Sequence, residues 1–315
     1  MKTLVAGGAG FIGSHLCDAL LAKGHSVVAV DNFITGQRRN LEHLLGHPRF
    51  EFIEHDVTQP LDVQVDMIFH LASPASPIGY LKHPVETSLV NSVGTYNLLE
   101  LARRYRATFL LASTSEVYGE PLEHPQSEEY RGNVSCTGIR SCYDEGKRFA
   151  ESLTMTYCRH YDVNTRIVRI FNTYGPRSDP NDGRLVPNFV VHALRGSPIP
   201  VYGDGTQTRA LCYVSDLVDG ILRMAQEPDL AGEVVNLGNP DERTVLEYAR
   251  LIKRLADSPS PIIHVSANNL GSRISDDPSR RCPDISKARR ILQWEPKVAV
   301  EEGLSKTIDW FRQIL

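Results

Sequence analysis

From Thr3 to Phe171 the chain repeats one pattern, a short apolar run followed by a helical stretch. TLVAG leads into FIGSHLCDALLAKG; SVVAVD, FEFIEHD and DMIFHLA come next, and the long PVETSLVNSVGTYNLLELARRYR follows them. TFLLAS precedes CYDEGKRFAESLTMTYCRHY, and TRIVRIF closes the series. Runs that are apolar throughout, rather than alternating, belong to strands covered on both faces, and strands joined through helices run parallel. The order predicts an α/β fold with a doubly wound parallel sheet.

After Phe171 the rhythm breaks. NTYGPRSDPNDGR and RGSPIPVYGDGTQTR are loop-rich, and two short helices and the basic, polar SRISDDPSRRCPD are expected beyond them. This pattern predicts a smaller C-terminal substrate-binding domain over the mouth of the sheet. VVNLGN again reads as a buried strand, so the chain is expected to return once to the sheet. The predicted division is a nucleotide-binding domain at 1–172, with a return at about 212–239, and a substrate domain at 173–211 and 240–315.

Composition narrows the function classes. With 41% hydrophobic and 23% charged residues and a formal charge of -4, nothing favours a disordered chain, a nucleic acid partner or an anionic membrane surface. Gly7, Gly8, Gly10 and Gly13 interrupt the first apolar run far short of a span, so neither a membrane segment nor a signal peptide is expected. The six cysteines include no C-x-x-C pair, so neither a disulfide scaffold nor a metal site is expected, and a reducing, cytoplasmic setting is the simplest reading.

Gly7-x-x-Gly10-x-x-Gly13 directly follows the first strand and opens a helix. Glycines there permit a tight turn and close approach to a pyrophosphate, whose charge the helix N-terminus favours. Asp31 ends the second strand, where its carboxylate would accept hydrogen bonds from an adenosine ribose and repel a 2′-phosphate. The reading is a Rossmann-type sheet that takes NAD rather than NADP. Asp56, at the end of the third strand, is a candidate for the adenine, with a plain turn as the alternative.

Tyr143 and Lys147 are four apart in a predicted helix and share a face. An ammonium beside a phenol stabilises tyrosinate, lowering a pKa of about 10 toward that of a usable base. Thr114, at the end of the preceding strand, is placed to hydrogen-bond the same substrate hydroxyl. Ser115 and Glu116 follow it in ASTSEVYG.

GGAGFIG, STSEVYG, YDEGK and IFNTYGP resemble the extended short-chain dehydrogenase/reductase family, over essentially the whole chain. The ordered set ASTSEVYG, HPQSEEY, CYDEGKR, NDGRLVPNF, QTR, NLGNP and DDPSRRCPDISKARRILQWEP is similar to its UDP-glucuronate decarboxylases. The resemblance implies NAD that is reduced and reoxidised within one cycle. Tyr143 would take the 4-hydroxyl proton as hydride leaves C4, with Lys147 and Thr114 in support, and the 4-keto acid would lose carbon dioxide. Protonation at C5 and return of the hydride would give UDP-xylose.

For NAD the resemblance implies Gly7, Gly10, Phe11, Ile12, Gly13, Asp31, Asn32, Asp56, Val57, Leu71, Ala72, Asn91, Tyr143 and Lys147, with Arg177 facing the pyrophosphate from the far side. For UDP-glucuronate it implies Pro77, Asn172, Arg184, Asn188, Tyr202, Gln207 and Arg209, with Arg281 at the diphosphate or the glucuronate carboxylate. It also implies a homodimer formed through the helices at 84–106 and 142–161. The chain departs from the pattern at Cys282, where a basic residue is usual, at Ile139, where proline is common, and at the longer segment 268–275.

Nucleotide-sugar 4,6-dehydratases usually carry Asp-Glu in the catalytic loop; here Ser115 precedes Glu116, which argues against water elimination. A 4-epimerase, an enzyme like UDP-apiose/xylose synthase and a non-catalytic NAD-sensing regulator are the remaining alternatives, and retention of Thr114, Tyr143 and Lys147 argues against the last. Ser115 is expected near C5 and C6. Glu116 is expected to orient the sugar, its charge favouring loss of the substrate carboxylate by repulsion; pairing with a nearby arginine is the alternative.

Overall fold

Apart from the edge run FEFIEHD, where Glu51 and Glu54 are exposed, the apolar runs become strands whose side chains are largely buried on both faces of one sheet, so their backbone pairs internally and their side chains meet helices above and below. The computed structural model describes residues 1–266 and 280–315; the segment 268–275 lies outside them. The first half comprises β1 (Lys2–Ala6), α1 (Phe11–Ala22), β2 (Ser26–Asp31), β3 (Phe50–Glu54) and β4 (Met67–His70). It continues through α2 (Pro77–Lys82), α3 (Pro84–Leu89), α4 (Thr95–Tyr105), β5 (Thr108–Thr114), α5 (Ser141–Tyr161) and β6 (Thr165–Ile170).

Beyond Phe171 come β7 (Thr173–Tyr174), α6 (Leu185–Leu194), β8 (Ile199–Tyr202), β9 (Thr208–Ala210) and β10 (Cys212–Tyr213). Then follow α7 (Val214–Gln226), β11 (Val234–Leu237), β12 (Glu242–Thr244), α8 (Val245–Leu255), β13 (Ile262–Val265), α9 (Ser286–Leu292) and α10 (Val300–Ile314). The described residues therefore hold five helices after Phe171 where the sequence suggested two. Short helices owe their stability to packing more than to propensity, and α9 is held by burying Ala288 and Leu292.

The main sheet has the order β11-β6-β5-β4-β1-β2-β3, and its strand pairs are all parallel. The strand order reverses between β1 and β4, where connections leave in opposite directions and a crevice opens beyond the strand ends. Register sets the details: Ala6 lies beside both Val30 and His70, which brings the glycine loop, Asp31 and Leu71 together. One apolar core runs from Leu16 and Leu20 of α1 through Leu217 and Ile221 of α7 to Ile308 of α10. The single helix expected at 84–106 is α3 and α4 joined by a π-turn at Val90–Gly94. Among the described residues, no helix is long and apolar enough to cross a membrane.

Candidate active site

The glycine loop is shaped as a cradle that side chains would fill. Gly7 has φ +83, and a Cβ there would lie 2.7 Å from the Ala72 amide nitrogen; a Cβ on Gly13 would lie 2.1 Å from the Gly7 oxygen. Gly10 caps α1, whose first turn carries no acidic residue, so its free N–H groups and positive dipole end face the loop. Gly7, Gly10, Asp31, Asn32, Asp56, Val57, Leu71 and Ala72 line one cleft, while Phe11, Ile12 and Gly13 form the first turn of α1.

Asp31 braces this cleft. Its Oδ2 accepts from the Ala9 N–H at 3.0 Å and its Oδ1 from the Phe33 N–H at 2.8 Å. Burial pushes its carboxyl up, against the lowering by those amides. At Asp56 burial also acts upward, but hydrogen bonds from Thr58 and Asn32 outweigh it and hold the carboxyl below its usual range. Asn91 is turned inward by the π-turn, donating to Ser73 Oγ at 3.0 Å and Thr87 O at 2.8 Å, and its Oδ1 is buried without a hydrogen-bond partner. Arg177, expected to face the pyrophosphate, pairs through Nη2 with Asp18 on α1 at 2.7 Å, while its Nη1 is buried without a hydrogen-bond partner. A cradle closed to Cβ atoms, a bare helix end and inward polar groups fit a dinucleotide.

The catalytic candidates meet where β5 ends against α5. Thr114 Oγ1 accepts from the Glu116 N–H at 3.2 Å and shares a hydrogen bond with Tyr143, whose ring stacks on Tyr80 with centroids 5.1 Å apart. Lys147 Nζ donates to Ala112 O at 2.9 Å. The expected lowering of the phenol pKa is corrected: burial pushes Tyr143 up to about 12, against a hydrogen bond with Thr114 that acts downward. Lys147 does not reverse this, because its own burial draws it down to about 7, offset only in part by Glu151. Glu151 is held in turn by Ser113 and by both edges of Arg169.

Lys147 gives a pH signature. The folded lysine releases its proton near pH 7 and the unfolded one near the ordinary 10.5, so the unfolded state binds more protons between those values. Stability of the parent relative to Lys147→Met should rise with pH through that window, by up to about 1.4 kcal/mol per pH unit. Urea unfolding of both proteins across the window measures it; parallel stability curves would contradict the assignment.

Glu116 is gripped from two sides. Arg281 donates Nη1 to Oε1 at 2.7 Å and Nη2 to Oε2 at 2.9 Å, a bidentate pair, and Arg140 also bonds Oε2. Arg140 lies 3.8 Å from Asp144 as well. The expected bare repulsion by Glu116 is corrected: among the described residues, its carboxylate is engaged by arginines from both sides. Arg281, expected at the diphosphate or the sugar carboxylate, is turned onto Glu116 and onto Asn172 Oδ1 at 3.2 Å. Ser115 is buried beside them.

The other substrate candidates fall on α2, α6, β8 and β9 and the loop between the last two. Pro77 opens α2 after the Ser76 cap. Arg184 caps α6 and pairs with Asp182, while Asn188, one turn on, has an Oδ1 that is buried without a hydrogen-bond partner. Arg184 is close enough to Tyr143 to act on its phenol electrostatically. Tyr202 and Gln207 share the β8–β9 connection through a Gln207 Nε2 to Tyr202 O bond at 2.9 Å, and Arg209 is buried on β9.

Sequence reasoning missed Tyr80, Arg140, Glu151 and Arg169. Arg140 had a signal, since it stands three residues before Tyr143 at the start of the same helix. Tyr80 had none, because its stack depends on how α2 packs against α5.

Comparison with known proteins follows the same lines. A family model described as "NAD dependent epimerase/dehydratase family" matches residues 3–238. The chain is 53% identical over 314 residues to UDP-glucuronic acid decarboxylase 1 of Xenopus tropicalis, covering 100% of this chain and 73% of the relative. It is 54% identical over 312 residues to UDP-glucuronic acid decarboxylase 1 of Arabidopsis thaliana, covering 99% and 70%. Among solved structures, it resembles UDP-glucuronic acid 4-epimerase from Bacillus cereus in complex with UDP-glucuronic acid and NAD, at TM-score 0.89 and 29% identity over 100% of both chains. UDP-glucose 4-epimerase from Thermotoga maritima with UDP-glucose is similar at TM-score 0.89 and 31% identity, covering 100% of this chain and 99% of the other.

Proposed function

Because the chain belongs to the NAD-dependent epimerase/dehydratase family, we propose that it is a UDP-glucuronate decarboxylase that forms UDP-xylose with NAD retained through the cycle. Decarboxylases match it at 53–54% identity, epimerases at 29–31%. The observation that carries the reading is the catalytic loop: Thr114 bonded to Tyr143, then Ser115 in place of a dehydratase acid, then Glu116 locked by Arg281.

NAD bound in the cleft would supply a hydride acceptor for C4 of the sugar and give the hydride back after carbon dioxide has left. Residues 1–172 with 212–239 would serve the cofactor, the glycine loop and α1 at the pyrophosphate, Asp31 and Asn32 at the ribose, Asp56 and Val57 at the adenine, while Arg177 would reach the pyrophosphate from the substrate domain. Residues 173–211 and 240–315 would hold the UDP sugar. Asn172, Arg184, Asn188, Tyr202, Gln207 and Arg209 contact the UDP part, and the buried acceptor of Asn188 suits a nucleoside N–H or hydroxyl.

Tyr143 takes the proton of the sugar 4-hydroxyl, and Thr114 holds that oxygen in place. Lys147, drawn toward neutrality by burial, completes the proton path between phenol and solvent. With C4 as a carbonyl, the bond from C5 to the carboxyl carbon breaks and its electrons pass into an enolate, so carbon dioxide leaves. Ser115 and Glu116 orient the sugar and the water or proton delivered to C5. Arg140 and Arg281 hold the Glu116 carboxylate in place between them. Over the cycle a proton replaces the carboxylate.

Incubating the purified protein with UDP-glucuronate and NAD should yield UDP-xylose by NMR. Unchanged UDP-glucuronate, or UDP-galacturonate as product, would overturn the proposal.

The six free cysteines suit a reducing, cytoplasmic setting. Val85, Leu89, Val93 and Tyr96 form an exposed apolar stripe along α3, the π-turn and α4, and Phe149 of the neighbouring α5 is exposed too. This patch is proposed as the homodimer face. The double variant Leu89→Glu, Phe149→Glu should sediment as a monomer; an unchanged dimer would move the interface elsewhere.

A further inference from the structure

Next in sequence to Arg281, three ligand-type atoms converge that the reaction does not use. His124 Nε2, a Glu242 carboxylate oxygen and Cys282 Sγ all lie within 4.8 Å of one another. They come from three segments: the loop before Gln126, β12, and the stretch carrying Arg281. A buried scaffold fixes these positions. The Gln126 N–H donates to Cys282 O at 2.9 Å, and Gln126 Oε1 accepts from the Cys282 N–H at 3.0 Å. β12 is paired with β9, and Thr208 of β9 donates its hydroxyl to Glu242.

This cluster already receives a cation. Arg280 donates Nη2 to His124 Nε2 at 2.7 Å and to Glu242 Oε2 at 3.0 Å. A guanidinium offers only donors, so His124 must present the Nε2 lone pair to that point. The 3.2 Å approach of His124 Nε2 to Glu242 Oε2 is therefore two acceptors sharing one cation rather than an ion pair of their own. The Arg280 side chain is 53% exposed, whereas Cys282 is buried, so the guanidinium is the member free to swing out.

We infer that His124, Glu242 and Cys282 form a site for a zinc-type divalent ion, which displaces Arg280 and keeps its fourth position open to water. Tetrahedral bonds of about 2.0–2.3 Å require ligand separations of about 3.3–3.8 Å, so histidine and glutamate are nearly in place and the sulfur must close by at most about 1 Å. A sulfur, an imidazole and a carboxylate select zinc over magnesium or calcium. The thiol proton is released to solvent as the metal–sulfur bond forms, and binding tightens with pH. The bound ion staples β12 and the His124 loop to the segment whose Arg281 holds Glu116.

Cobalt(II) is the probe, titrated into the full chain. One equivalent should bind with a sulfur-to-cobalt charge-transfer band, which Cys282→Ser abolishes and Cys136→Ser, at an exposed thiol, retains. Arg280→Ala should tighten cobalt binding by about tenfold or more, because two charge-assisted hydrogen bonds no longer have to be broken. Zinc should displace the cobalt and raise the unfolding temperature of the parent but not of Cys282→Ser. Absence of the band, its survival in Cys282→Ser, or unchanged affinity in Arg280→Ala would each overturn the inference.

Discussion

Tyr143→Phe should lower turnover by about a thousandfold, within the range that removal of a general acid–base group produces, while leaving UDP binding nearly as in the parent. Phenylalanine keeps the ring that stacks on Tyr80, so the fold around α5 is preserved and the loss is one of proton transfer. The protein's own groups hold the phenol near 12, where little tyrosinate exists at neutral pH. In the proposed mechanism the oxygen would work as a relay, passing the sugar proton on as the hydride departs, with Thr114 hydrogen-bonded to it and Lys147 one helical turn away. Mixing the variant with UDP-glucuronate and following NADH absorbance tests this. Reduction of bound NAD at near the parent rate would show that the base is another group.

Glu116→Gln should keep NAD bound and slow turnover by about a hundredfold. Glutamine has the same shape but no charge, so each arginine loses an ion pair in a buried site, where removing one partner is costly. Arg281 then loses the bidentate ion pair that ties it to the catalytic loop. Retention of NAD separates this result from unfolding, and an unaltered rate would make Glu116 a structural ion-pair partner alone.

The main sheet was legible because parallel strands leave a direct mark on sequence: TFLLAS and TRIVRIF are apolar without alternation, since both faces are covered. The glycine spacing was equally plain, because Gly7 and Gly13 meet backbone at distances no Cβ survives. The helices after Phe171 were harder to see. α9 is seven residues and takes its order from the surface it packs on, and the π-turn in 84–106 goes with the bonds of Asn91 to Ser73 and Thr87, which lie outside any helical periodicity.

The succession of strands up to Phe171, the cradle, and the Tyr143 and Lys147 pair belong to the sequence alone, because each rests on local periodicity or on the steric limits of single residues. Which guanidinium meets Glu116 was decided only by the tertiary structure: Arg281 arrives from 165 residues away. So was the charge behaviour of the site, with Tyr143 driven upward, Lys147 downward, and Glu116 engaged by arginines from both sides. Desolvation and Coulomb energy depend on what surrounds a group in space, and chain spacing does not carry that information.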